Sequence, residues 1–227
     1  MTTGTVAATL VVGNPRQHSR TLALAHRTTD ALRVALTGEC LPVAEPDLVD
    51  LAWLAPRLFG GAGEGRSADG AVGRATALAC RPGLLVVVSP TFKGTYTGLL
   101  KTFFDLLPMD GLAGAVAVPV MTAGWPQHRF AVDAYLRTLL VELGATVPVR
   151  GLSVLEDEFA TVESVLAPWV ARTVPALAAV LRRLQPRPEQ PRADQIQAEQ
   201  TDRSGGSPHD RAVVAVGVPA PVRGTDP

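Results

Sequence analysis

The chain has 227 residues, no net formal charge, 47% hydrophobic residues and two cysteines, Cys40 and Cys80. That length fits one ordinary domain with an extension, and the neutral balance gives no reason to expect nucleic acid or an anionic membrane as partner. No apolar run reaches the length of a membrane span and no basic-then-apolar leader opens the chain. The two distant thiols lack a C-x-x-C or His-rich partner pattern, so neither metal nor disulfide is expected, and a reduced, cytoplasmic protein is.

Residues 5–12 form a β-branched, apolar run suited to a buried first strand. It breaks at Gly13-Asn14-Pro15-Arg16-Gln17-His18-Ser19-Arg20-Thr21, after which Leu22, Ala25, Leu32 and Leu36 recur at helical spacing, with Ser19 as N-cap. A helix start flanked by Ser, Thr and two Arg is a ready anion site, though an ordinary capped helix has the same pattern. Pro42 and Pro46 confine the next strand to 48–51. Residues 55–70 carry Pro and many Gly and read as a surface loop, and 71–80 as a helix stopped by Arg81-Pro82-Gly83.

The central stretch runs from Val86 to Pro108. Val86-Val87-Val88 ends a buried strand, Ser89 and Pro90 stop it, and a loop over 91–97 leads into a helix over 97–107. The loop has many N–H groups and hydroxyls but no acid or His, which suits holding a planar ligand with polar edges. Lys93 and Lys101 are the only lysines; Lys101 stands four residues before Asp105, at helical pairing distance. Residues 115–121 give a fourth strand, which leads through Thr122-Ala123-Gly124-Trp125-Pro126-Gln127-His128 to a helix carrying Val132, Leu136, Leu139, Leu140 and Leu143 and stopped by Gly144. A fifth strand over 146–155 precedes a last helix capped by Thr161, whose Pro168 and Pro175 imply a kink or a late start. After Leu184 the composition turns to Pro, Gln, Arg and Ser. Residues 186–227 therefore read as a disordered tail behind a domain of residues 1–185, and Ala212-Val213-Val214-Ala215-Val216 is too short to fold alone.

Alternating strands and helices predict a doubly wound five-stranded parallel α/β sheet of flavodoxin-like order 2-1-3-4-5, with helices on both faces. The loops after strands one, three and four then meet at one sheet edge. The S-P-T-F-K-G-T-Y-T-G-L-L-K-T-F-F-D-L-L-P stretch resembles the flavin loop and following helix of the NADPH-dependent FMN reductase family, in particular the branch that supplies reduced flavin to two-component monooxygenases. The first loop resembles that family's G-S-P-R-x-x-S-R-[ST] phosphate loop, with Asn14 in place of Ser, and the third its T-G-G-x-x-x-H segment, with Ala123 in place of Gly.

The resemblance implies FMN held at its phosphate by Asn14, Arg16, Ser19, Arg20 and Thr21. Pro90, Thr91, Phe92, Lys93, Gly94, Thr95 and Tyr96 would edge the isoalloxazine, mostly through backbone N–H groups. Thr122, Ala123 and Gly124 would close the other side, with His128 on the rim. It implies NADPH or NADH as hydride donor, a flavin-dependent monooxygenase as partner, and a homodimer or homotetramer. Such a reaction needs no catalytic side chain, since the cofactor carries the chemistry, and N–H donors or Lys93 would stabilise charge developing near N1 and O2 of the flavin. A quinone or azo reductase that retains FMN is the alternative enzyme; a flavodoxin-like electron carrier is a different class, disfavoured by the neutral charge. The helix over 97–107 and the one from Phe130 show apolar residues on more than one stripe, which points to a second subunit covering both.

Overall fold

The computed structural model describes residues 4–59 and 70–184. The expected tail over 186–227 and most of the expected loop over 55–70 lie outside the described residues. Five parallel strands, β1 (Ala8–Val12), β2 (Asp47–Asp50), β3 (Gly83–Pro90), β4 (Ala115–Ala123) and β5 (Leu152–Leu155), form one sheet in the order β2-β1-β3-β4-β5. β1, β3 and β4 are buried along nearly their whole length, as apolar runs without alternation require. On one face α1 (Arg20–Gly38) and α6 (Val162–Leu184) cover Leu10, Val86, Val118 and Val154. On the other, α2 (Leu51–Leu58), α3 (Ala71–Ala79), α4 (Gly98–Phe104) and α5 (Arg137–Glu142) cover Val11, Leu85, Val87 and Ala117.

Several expectations need correction. Ser89 and Pro90 do not stop β3; Pro90 is its last residue and stands beside Thr122. Residues 51–58 are helical, with Pro56 inside the helix, where a strand end and a loop were expected. α4 ends at Phe104 rather than Leu107, and Leu99, Leu100, Phe103, Phe104 and Leu107 are all buried within the single chain. Its apolar breadth therefore needs no second subunit, because the sheet covers one side and α2 packs on the other. The helix expected from Phe130 is composite, a 3₁₀ turn at Pro126–His128 and a π-helical segment at Val132–Leu136 before α5. α6 runs without interruption through Pro168 and Pro175. With the 3₁₀ turn before it (Glu156–Thr161), residues 156–184 are long and apolar enough by length and composition to cross a membrane. Val162, Leu166, Trp169, Leu177 and Leu181 on that helix are nevertheless buried in the core against the sheet.

The fifth strand is the largest difference. Only Thr146 and 152–155 pair with β4, and 147–151 bow away. Ala117 donates its N–H to Thr146 O (2.8 Å), and in a parallel ladder alternate residues address the same neighbour. Pro119, two residues on, has no N–H to give in that direction, so the ladder lapses until Val120 meets Leu152. The carbonyls of Val147 and Val149 are taken instead by the Arg137 guanidinium.

Two tethers hold the carboxyl edge of the sheet. Thr97 caps α4 by accepting from Leu100 N–H (3.1 Å) and donates its hydroxyl hydrogen to Gly13 O (2.5 Å). Arg129 donates to Ser153 O (2.9 Å) and Glu158 Oε1 (2.5 Å), and Glu158 Oε2 accepts from Leu155 N–H (2.8 Å).

Replacing Thr97 by Val leaves a buried carbonyl and a helix start unpaired. We expect a loss of about 2 kcal/mol in chemical denaturation, largely restored by Thr97→Ser; a silent Thr97→Val would remove the tether from the account. For Glu158, burial raises the carboxyl pKa but the bonds from Leu155 and Arg129 outweigh it, so the net shift is downward from 4.5. A depressed carboxyl stabilises the fold above its ordinary pKa, and that contribution fades as acid protonates it. Glu158→Gln should therefore melt lower than the parent at pH 7, and the gap should close as pH falls below about 4.5; a gap that persists in acid contradicts the ionic reading.

Candidate functional site

The sheet order places a topological switch between β1 and β3, the position where open α/β sheets bind ligands. The loop after β1 comes first. Gly13 donates to Val88 O (2.7 Å), and a Cβ at Gly13 would stand 2.8 Å from the Leu100 Cβ, so only glycine lets the loop approach α4 this closely. Asn14 is buried and used locally: its Nδ2 donates to Thr21 Oγ1 (2.8 Å) and its Oδ1 accepts from Arg16 N–H (2.9 Å). Asn14 and the Thr21 hydroxyl thus shape the loop. Ser19 caps α1 through Leu22 N–H (3.2 Å), as the sequence implied. The N–H groups of Arg20 and Thr21 meet no acceptor among the described residues and stand at the positive end of a 19-residue helix. Arg16 is exposed, while Arg20 is engaged elsewhere, 3.6 Å from Glu156 and 5.4 Å over the Phe159 ring. Asp50, at the end of β2, caps α2; burial raises its pKa, against the Ala52 N–H and the charges of His18 and His26.

The loop after β3 is a two-residue hairpin. Phe92 and Thr95 exchange backbone hydrogen bonds (2.8 and 3.2 Å), and the residues between them, Lys93 and Gly94, have φ of 54° and 86°. Two consecutive positive φ values define a type I′ turn, in which Gly94 is at ease and Lys93 is not. This geometry decides which donors remain. Thr91 N–H is spent on Thr122 O (2.7 Å), Thr97 N–H on Ser89 Oγ (3.1 Å), and those of Phe92 and Thr95 on each other. Among the described residues the N–H groups of Lys93, Gly94 and Tyr96 stay open, fewer than the sequence implied. The Thr91 hydroxyl is buried without a partner, Pro90 is buried in the strand, and Tyr96 packs partly against the core.

The loop after β4 faces that hairpin. Thr122 and Ala123 are buried in β4, where Ala123 pairs with Leu155, so its methyl costs nothing in the place where the family pattern has glycine. Gly124 is exposed with open space around its Cα, and His128 is half-buried. An open cleft of about 700 Å³ lies between the Lys93–Thr95 turn and a wall of Gln127, His128, Phe130 and Tyr135. It unites Lys93, Gly94, Thr95 and His128 from the expected set. It does not reach the loop after β1, whose Gly13 is joined to this region by the Thr97 tether and by its close packing on Leu100. Gln127, Phe130 and Tyr135 were not expected as site residues. The signal for two of them was present, as aromatic residues off the core face of a predicted helix.

A family model described as NADPH-dependent FMN reductase matches residues 7–159. The NADH-dependent FMN reductase SfnF of Pseudomonas fluorescens is 32% identical over 70% of this chain and 82% of its own length. The FMN reductase (NADPH) of Escherichia coli K12 is 41% identical over 30% of this chain, and that match spans 36% of the relative's length. Among solved structures, apo NADH:FMN oxidoreductase EmoB superposes with a TM-score of 0.66 at 26% identity, covering 82% of this chain and 92% of that one. The three loops, their spacing and these likenesses agree: the chain belongs to the NADPH-dependent FMN reductase family.

Proposed function

We propose that residues 1–185 form an NAD(P)H-dependent FMN reductase that passes a hydride from a nicotinamide to FMN and supplies reduced FMN to a partner monooxygenase in the cytoplasm. The observation that carries this reading is the pairing of two donor groups at one sheet edge: free N–H groups at the start of α1, and the open N–H groups of Lys93 and Gly94 in the hairpin. An anionic tail fits the first and the carbonyl-rich edge of a flavin the second. The orphaned Thr91 hydroxyl and the open space at Gly124 accommodate such a ring.

Bound FMN supplies the hydride acceptor. The chain's part is to grip the phosphate with Arg16, Ser19 and the N–H groups of Arg20 and Thr21. Lys93, Gly94 and Tyr96 would place donors along the ring edge, and Phe130 and Tyr135 would shield it from water. Among the described residues no carboxylate lines the cleft, so no negative side chain competes there for the donors. Relatives named for NADPH and for NADH both occur. The likeness of the central loop to the monooxygenase-serving branch supports the partner. We place the subunit contact at Trp125, which is 64% exposed and lines neither cleft, rather than at α4. It forms at least a homodimer.

Flavin-free protein should oxidise NAD(P)H aerobically only when FMN is added, with turnovers exceeding the protein concentration; undiminished quinone reduction by tightly held FMN would favour a quinone reductase instead. Arg16→Ala should raise the FMN dissociation constant about tenfold, as losing a charge-assisted contact of about 1.5–3 kcal/mol demands, while riboflavin binding stays constant. Equal weakening for both flavins would remove Arg16 from the phosphate site.

A further inference from the structure

The bowed segment 147–151 opens a second cleft, of about 840 Å³, at the free edge of the sheet. Residues 150–153 lie in its wall between the π-helical segment and α6. Gln127 and Phe130 line both this cleft and the one beside the Lys93–Thr95 turn, so the two adjoin across these side chains.

Among the described residues its lining carries Arg129, Arg150 and Arg172 and one acid, Asp133, with Arg129 already paired to Glu158. Asp133 is already saturated, since its Oδ1 accepts from Arg137 Nη2 (2.6 Å), Arg137 Nε (3.0 Å) and Gly151 N–H (2.9 Å). Arg150 lies only loosely against it, at 3.6 Å with a side chain 91% exposed. Arg172 is exposed and has no ion-pair partner among the described residues. Arg150 is nonetheless anchored at its base. Its carbonyl accepts from Trp169 Nε1 (3.0 Å), and the following N–H is held by Asp133. Arg172, three residues after Trp169, lies on the same side of α6. The site is thus one unpaired guanidinium, Arg172, and one held only at 3.6 Å, Arg150, on fixed roots beside an exposed aromatic ring, Phe130.

We propose that this cleft holds the adenosine end of NADPH, its 2′-phosphate included, while the nicotinamide reaches into the first cleft over the flavin whose edge the hairpin holds; the proposal rests on the reductase reading above. A nicotinamide dinucleotide is two flat rings joined by a diphosphate, and two adjoining clefts, one beside the flavin edge and one rich in arginine, match its parts in order. Arginine's planar fork pairs with phosphate oxygens two at a time. The additional phosphate of NADPH gains more from the unpaired Arg172 and the loosely held Arg150 than NADH can, which makes this edge the determinant of nucleotide preference.

The test is calorimetric titration with adenosine 2′,5′-bisphosphate, which needs no turnover, followed by steady-state kinetics. The wild type should bind the bisphosphate, and the Arg150→Gln/Arg172→Gln double variant should bind it at least tenfold more weakly. The same variant should lose at least tenfold in the kcat/KM ratio of NADPH to reduced nicotinamide mononucleotide, chiefly through KM, and Arg150→Lys/Arg172→Lys should recover part of the loss. Absence of bisphosphate binding to the wild type, or equal binding by a double variant with unchanged melting temperature, overturns the subsite. A wild type that binds the bisphosphate yet oxidises no nicotinamide overturns the reductase reading alone.

Discussion

The hydroxyl of Thr97 is the contact on which the arrangement of the functional edge depends. It is 2% exposed, and its oxygen ends the orphaned first turn of α4 while its hydrogen reaches the Gly13 carbonyl in the loop after β1. Threonine can do both because one oxygen both accepts and donates. The neighbouring Ser89 hydroxyl accepts from Thr97 N–H, so the same residue is fixed from two sides. The loops after β1 and β3 come from different parts of the chain and share no other side-chain hydrogen bond among the described residues. Without this one, each would settle independently, and a ligand spanning them would meet two loosely related halves.

The donor economy of the site follows from the same logic. A loop rich in N–H groups is a good anion or carbonyl cradle only if its own turns leave those groups unspent. The type I′ hairpin uses the donors of Phe92 and Thr95 to hold itself closed and thereby turns those of Lys93 and Gly94 outward. The left-handed backbone at Lys93 costs about 1 kcal/mol relative to a right-handed one, a strain that persists because the flanking residues are locked to Thr122 and Ser89. Rigidity at this edge is thus built from the backbone bonds of the hairpin together with the Ser89 and Thr97 hydroxyls.

The strands, their order and the three loops were legible in the sequence because fully buried parallel strands are uninterrupted β-branched runs, and Gly, Pro and Ser punctuate them. Ser19 as a cap and the Lys101–Asp105 pair followed from spacing alone. What escaped was set by long-range context. That Asn14 would turn inward to Thr21 depends on a helix start seven residues on, and that Arg20 would pair with Glu156 depends on a segment at the far end of the chain. The apolar breadth of α4 suggested a partner subunit because nothing local announces that α2, a short helix containing Pro56, packs against it. The second cleft was invisible for the same reason: its arginines are scattered over three elements.

Pro119 also bears on how the molecule avoids its own kind. A long fifth strand would end the sheet in a continuous row of unpaired N–H and C=O groups, a template on which another chain could crystallise strand upon strand. By depriving the ladder of one donor, this proline shortens that template to the four residues 152–155. The 3₁₀ turn beginning at Glu156 then leads the chain away from the strand direction. One tertiary amide in the middle of a buried strand thereby limits how much of the sheet's outer margin is open to strand pairing.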